Sequence, residues 1–118
     1  MRPALGFIAA ALTIAPALAQ QWRPIPGAPG NSLAVDMTSI KREGSWRVFR
    51  TRAVASSKGQ MFALMAIDCK AGTIEFRAQR AYQAGKLVRE RTFPAGRRPR
   101  QTVPNPAGDP LIRLVCAA

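Results

Sequence analysis

A chain of 118 residues with 18 Lys and Arg, six Asp and Glu, no histidine and two cysteines allows one domain with one modest core. The missing histidine excludes Ser-His-Asp and Cys-His catalysis and removes the commonest transition-metal ligand. A net charge of +12 attracts polyanions and repels further copies of the same chain.

The N-terminus places Arg2 ahead of an uncharged stretch from Ala4 to Pro16, followed by Ala17-Leu18-Ala19. A positive start, a short apolar run and small residues at the cleavage positions are the marks of a signal peptide. The run is too short to span a bilayer, which takes about 20 apolar residues. Residues 1–19 are therefore expected to be removed, leaving residues 20–118 as an exported domain with a net charge of +11. Its arginines outnumber its lysines, and alanine, proline and glycine are abundant. Either selection for a polyanion or a GC-rich genome accounts for that bias.

Residues 20–32, rich in proline and glycine, read as an extended entry segment anchored by Trp22 and Ile25. Leu33–Met37 suits a first strand, and Lys41–Gly44 reads as a polar turn. Residues 45–55 mix β-branched, aromatic and arginine side chains. Val48 and Phe49 stand side by side, which calls for a bulge or for burial on both faces. Residues 56–59 form a loop, and residues 61–69, apolar at both parities, suit a central strand. After a turn at Lys70–Gly72, residues 73–83 alternate, with Ile74, Phe76, Ala78 and Tyr82 on one parity and Arg80 interrupting that face. Gly85-Lys86 turns the chain into a partner strand at 87–93. Residues 94–108 hold four prolines and two glycines and read as a long surface loop. Asp109 and Pro110 open a short C-terminal helix, with Leu111, Leu114 and Val115 on its inward face. The fold class is mainly β, a single antiparallel sheet with that helix at its end.

In an oxidising compartment the two cysteines, Cys69 and Cys116, have one intramolecular pairing open to them. The bond would tie the helix to the strand that ends at Cys69. No Cys-x-x-Cys redox motif occurs, and there is no Gly-rich phosphate cradle. The six carboxylates, Asp36, Glu43, Asp68, Glu75, Glu90 and Asp109, fit turn, cap and cross-strand roles better than an acid–base pair. No catalytic, cofactor or metal-binding residues are expected. Trp22 and Trp46 suit the core. The densest basic run, Arg97, Arg98 and Arg100, is either a polyanion or partner site or a solvated loop whose side chains need no core contact. Arg47, Arg50, Arg52, Arg77 and Arg89 would form a basic stripe if the strand registers put them on one face.

The spaced elements Trp22-x-x-Ile25, Val35-Asp36-x-x-Ser39-Ile40-x-Arg42-x-Gly44 and Val48 open a longer pattern. Ile67-Asp68-Cys69, Tyr82, Gly85, Pro104-x-Pro106 and Leu114-Val115-Cys116 complete it. Together they resemble the surface-adhesin protein E-like domain of exported bacterial proteins, from Trp22 to Cys116. That resemblance implies an antiparallel β domain with a short C-terminal helix and one disulfide. The pattern departs from the family where arginines stand before Pro104-x-Pro106, and where Ala107-Gly108-Asp109 enters the helix.

Three functions follow as expectations. The first is a non-catalytic binding module of the bacterial envelope, periplasmic or at the cell surface, with an adhesin-like protein partner. The second is a cationic envelope protein that holds lipopolysaccharide, acidic glycan or nucleic acid by charge. The third is a small hydrolase using carboxylates alone.

Overall fold

The computed structural model describes residues 20–26, 33–54 and 58–118. The expected signal peptide at 1–19, residues 27–32 of the Pro/Gly-rich entry segment and part of the 56–59 loop lie outside them. Seven strands form one antiparallel sheet: β1 Trp22–Pro24, β2 Leu33–Glu43, β3 Trp46–Val54, β4 Gly59–Asp68, β5 Thr73–Gln83, β6 Lys86–Thr92 and β7 Arg100–Thr102. β1 to β6 lie in chain order, and β7 pairs with the first residues of β5. Among the described residues one α-helix, α1 (Pro110–Cys116), closes the domain. Cys116 at its end is bonded to Cys69 just beyond β4.

β4 pairs with β3 without interruption, so its alternate residues define two faces of the sheet. Ala63, Met65 and Ile67 of β4 share one face with Phe49 of β3 and Val35 of β2, and these pack with Leu111, Ile112 and Val115 of α1. This is the core, and Ile25 of the entry segment joins it. The helix starts where expected. Asp109 Oδ1 accepts the Ile112 amide hydrogen at 3.0 Å, and Pro110 occupies the first turn.

Several elements differ from their sequence reading. β2 continues to Glu43, because Lys41, Arg42 and Glu43 pair with Val48, Arg47 and Trp46. The polar turn shrinks to Gly44-Ser45, where Gly44 has φ +63°. Of the two accounts of Val48-Phe49, burial on both faces holds: Val48 and Phe49 are both buried, and β3 is regular against β4. The irregularity sits in β2 instead. Asp36 pairs with Arg50 and Lys41 with Val48, so residues 37–40 bow out opposite Phe49 alone.

The alternation in 73–83 also breaks. Phe76 pairs with Met65 and Ala78 with Leu64, so Arg77 is an extra residue, a β-bulge. The bulge reverses the parity. Ile74 and Phe76 stand on the core face, whereas Ala78, Arg80 and Tyr82 stand on the opposite one, across from Leu64, Phe62 and Gln60. The β5–β6 turn is Ala84-Gly85 rather than Gly85-Lys86, with φ values of +51° and +83°. Residues 94–108 include β7, which is bracketed by 3-10 turns at Ala95–Arg97 and Pro106–Gly108. Pro106 rests on Gly72, where a Cβ would come 2.4 Å from its Cγ. At the sheet's edge every residue of β6 is exposed, including Leu87 and Val88.

Candidate functional site

The face of the sheet turned away from α1 carries most of the chemistry. Registers place Asp68, Ala66, Leu64, Phe62 and Gln60 of β4 on it, opposite Trp46, Val48, Arg50, Arg52 and Val54 of β3. From β5 it receives Thr73 and Glu75 before the bulge and Ala78, Arg80 and Tyr82 after it.

One end of this face is roofed by the basic run. Glu75 is 1 % exposed, and three arginines reach it. Arg77 Nε donates to Oε2 at 2.8 Å, Arg98 Nη1 to Oε2 at 3.3 Å and Arg100 Nε to Oε1 at 2.9 Å. Arg77 also donates to Glu43 at 3.0 Å. Burial by itself raises the Glu75 pKa. The hydrogen bonds and charges of Arg77 and Arg100 outweigh it and hold the carboxyl below its ordinary value. Arg100 lies 5.4 Å from the centre of the Trp46 ring, a cation–π distance.

The expectation of a loop whose side chains need no core contact is therefore overturned for Arg98 and Arg100. A buried carboxylate requires partners, and these two supply them. Arg97, in the 3-10 turn, remains exposed.

The β1–β2 side of the face is covered by the entry segment. Asp36 is fully buried, and its Oδ1 accepts the amide hydrogens of Gln21 (3.2 Å) and Thr38 (3.0 Å) and the Thr38 hydroxyl (2.7 Å). Burial again raises its pKa, but these hydrogen bonds and the Arg50 charge bring it below the usual aspartate value. Its Oδ2 is buried without a hydrogen-bond partner.

Beyond these covered parts, over β4 and β5, lies an open groove of about 610 Å³. Its floor is Phe62, Leu64 and Ala78, and Arg50, Arg80, Tyr82, Gln20 and Gln60 border it. One cross-strand row runs Arg52–Phe62–Arg80–Glu90, which puts a phenyl ring between two guanidinium stems. Phe62 meets Trp22 edge-on at 6.1 Å and Tyr82 at 5.7 Å. The Arg52 guanidinium stands 4.6 Å over the Trp22 ring. Trp22 and Trp46 are thus half-buried supports for arginines rather than core residues. Arg80 donates to Glu90 at 2.7 Å. Among the described residues Arg50 and Arg52 form no ion pair.

The basic stripe weighed from the sequence is reshaped by these registers. Arg50 and Arg52 share the open face. Arg47 and Arg89 lie on the helix side, opposite Ile67 and Ala81, and Arg77 is engaged with carboxylates. Arg80 takes its place in the stripe. The available signal was its interruption of an apolar parity.

All six carboxylates have structural partners. Asp68 accepts the amides of Lys70 and Ala71, Asp109 caps α1, Glu90 pairs with Arg80, Glu43 and Glu75 hold Arg77, and Asp36 binds amides. Among the described residues no group of three or more acidic or cysteine side chains could hold a metal ion. Nor is any helix there long and apolar enough to cross a membrane. Comparison with family models, curated proteins and solved structures gives no match to this chain.

Proposed function

We propose that this chain is an exported, non-catalytic binding module of the bacterial envelope, and that the sheet face opposite α1 is its binding surface. The observation that carries this reading is the unequal treatment of the two faces. One is closed by α1 and tied by the Cys69–Cys116 bond. The other keeps an open groove with an apolar floor and arginines at its border, the mix of apolar surface and convergent polar groups that ligand sites use. A disulfide is compatible with an oxidising compartment. Engagement of every carboxylate in a cap, turn or ion pair favours binding over acid–base chemistry. An adhesin-like role at the cell surface, as the protein E-like resemblance implies, is the more specific form of this proposal.

A photoreactive phenylalanine analogue placed at Phe62 of the exported protein tests the surface directly. Irradiation in intact cells should give adducts from position 62 and none from the same analogue at Arg113, on the exposed side of α1. Equal adducts from both positions, or none from position 62, would overturn the reading.

A further inference from the structure

We infer that the groove over β4 binds an acidic glycan, a saccharide chain bearing carboxylate or sulfate groups; this rests on reading the open face as the binding surface. Three features of the groove converge on that chemistry. Arg50, Arg52 and Arg80 surround Phe62 and Leu64 on adjacent strands. Arginine's planar fork matches carboxylate or sulfate with paired hydrogen bonds. Arg50 and Arg52 have no ion-pair partner among the described residues, and the Arg80–Glu90 pair is exposed, so an incoming anion displaces little.

The groove border adds Gln20, Gln60 and the Tyr82 hydroxyl. Amide side chains both donate and accept, as a run of sugar hydroxyls requires. The floor of Phe62, Leu64 and Ala78 offers an apolar strip for the C–H face of a pyranose ring. A volume of about 610 Å³ lies within the range of small-ligand clefts.

The aromatic geometry favours a glycan over single-stranded nucleic acid. Stacked bases need ring faces laid open along the strand. Here Phe62 is wedged edge-to-face between Trp22 and Tyr82, at interplanar angles of 61° and 89°, and the Trp22 face is covered by Arg52.

Calorimetric titration of the protein with tetragalacturonate, its methyl ester, a sulfated tetrasaccharide and a twelve-residue oligo-dT tests this. The parent should bind at least one of the two charged saccharides, and which one identifies the anionic group. The methyl ester should bind at least about tenfold more weakly than tetragalacturonate if carboxylate is that group. Arg50→Gln and Arg80→Gln should each weaken binding by about tenfold, the loss of one charge-assisted pair. Arg89→Gln removes the same charge from the helix side and should stay within about twofold. Matched thermal midpoints certify folding, and Arg80→Gln, wholly at the surface, serves if Arg50→Gln fails to fold.

An equal loss in Arg89→Gln would overturn the site in favour of diffuse charge. Ester binding as tight as the acid would overturn a carboxylate ligand. Tighter oligo-dT binding, lost in Arg50→Gln, would replace the glycan by nucleic acid. If neither saccharide binds while position 62 still gives adducts in cells, the ligand class fails and the binding surface stands. If the adducts are absent as well, both fail.

Discussion

The Ser39 hydroxyl does for Arg50 what a strand carbonyl would do. It accepts the Arg50 amide hydrogen at 2.8 Å while donating to the Asp36 carbonyl at 2.7 Å. Residues 37–40 bow out of the β2–β3 ladder, and a ladder broken in this way leaves backbone groups in need of partners. Ser39 is buried, so water cannot substitute freely. The Asp36 carboxylate knits the same loop through Thr38. Ser39→Ala strands a buried donor and should destabilise the domain by about 1–3 kcal/mol. Urea denaturation of parent and variant measures it, and a shift below about 0.5 kcal/mol would show that the bulge closes without the hydroxyl.

Glu75 makes stability depend on acid. Its folded pKa lies below the ordinary glutamate value of 4.5, so between the two values the unfolded chain binds more protons than the folded one. Stability is therefore full above about pH 4.5 and falls as the pH drops through the folded value. Asp36, lowered from 3.8, adds a second loss of the same sign. Glu75→Gln should flatten the decline below pH 4.5 and lower stability at neutral pH. Thermal melts of both proteins between pH 3 and 7 test this, and parallel curves would refute it.

The arginines over Glu75 should behave as structural residues. Arg98→Gln with Arg100→Gln leaves the buried carboxylate held by Arg77 alone, and the loss is expected to be about 1–3 kcal/mol at neutral pH. Arg97→Gln, exposed in its 3-10 turn, should fall within about 0.5 kcal/mol. Chemical denaturation of the two variants side by side separates the roles. Equal midpoints would return all three to the status of a solvated run.

The tether of α1 is the fourth test. Replacing Cys69 and Cys116 together by Ala should cost about 2–5 kcal/mol, the usual loss when a small domain gives up its disulfide. Asp109→Ala should cost about 1 kcal/mol through the lost cap on Ile112. Denaturant midpoints unchanged by either would mean that the helix docks without help.

The β5–β6 turn offers a gain. Ala84 holds φ +51°, a left-handed conformation that costs a non-glycine residue roughly 1–2 kcal/mol. Ala84→Gly should raise stability by up to about 1 kcal/mol, less what the extra chain freedom of glycine gives back. A lower thermal midpoint would show that the Ala84 methyl group makes a contact worth more than the strain.

What the sequence revealed follows from the range of the forces involved. The β4 segment and the helix start were legible because short-range signals set them: an unbroken apolar run, and Asp109-Pro110 ahead of a spaced apolar face. β7 was not, since three polar residues become a strand only when β5 lies alongside. The bulge at Arg77 has no local mark either, and it moved Ala78 and Tyr82 to the other face. Glu75 was expected to pair with arginines. That it would be buried under two from a distant segment depends on contacts 23 and 25 residues away in the chain. The groove was hidden for the same reason, because strand registers decide which of the arginines stand together.

The fully exposed edge strand β6 gives the surplus charge a further consequence. An open edge is a template on which a second molecule could add its own strand. Lys86, Arg89 and Arg91 line this one among the apolar Leu87 and Val88, while the opposite edge, β1, is only three residues long and ends in Pro24. Repulsion between like-charged edges keeps molecules apart as long as salt is dilute. At about 1 M salt the screening length shrinks to roughly 3 Å, shorter than the spacing between paired strands. Solubility should therefore be greatest in dilute buffer and decline as salt is added, with assembly beginning at β6.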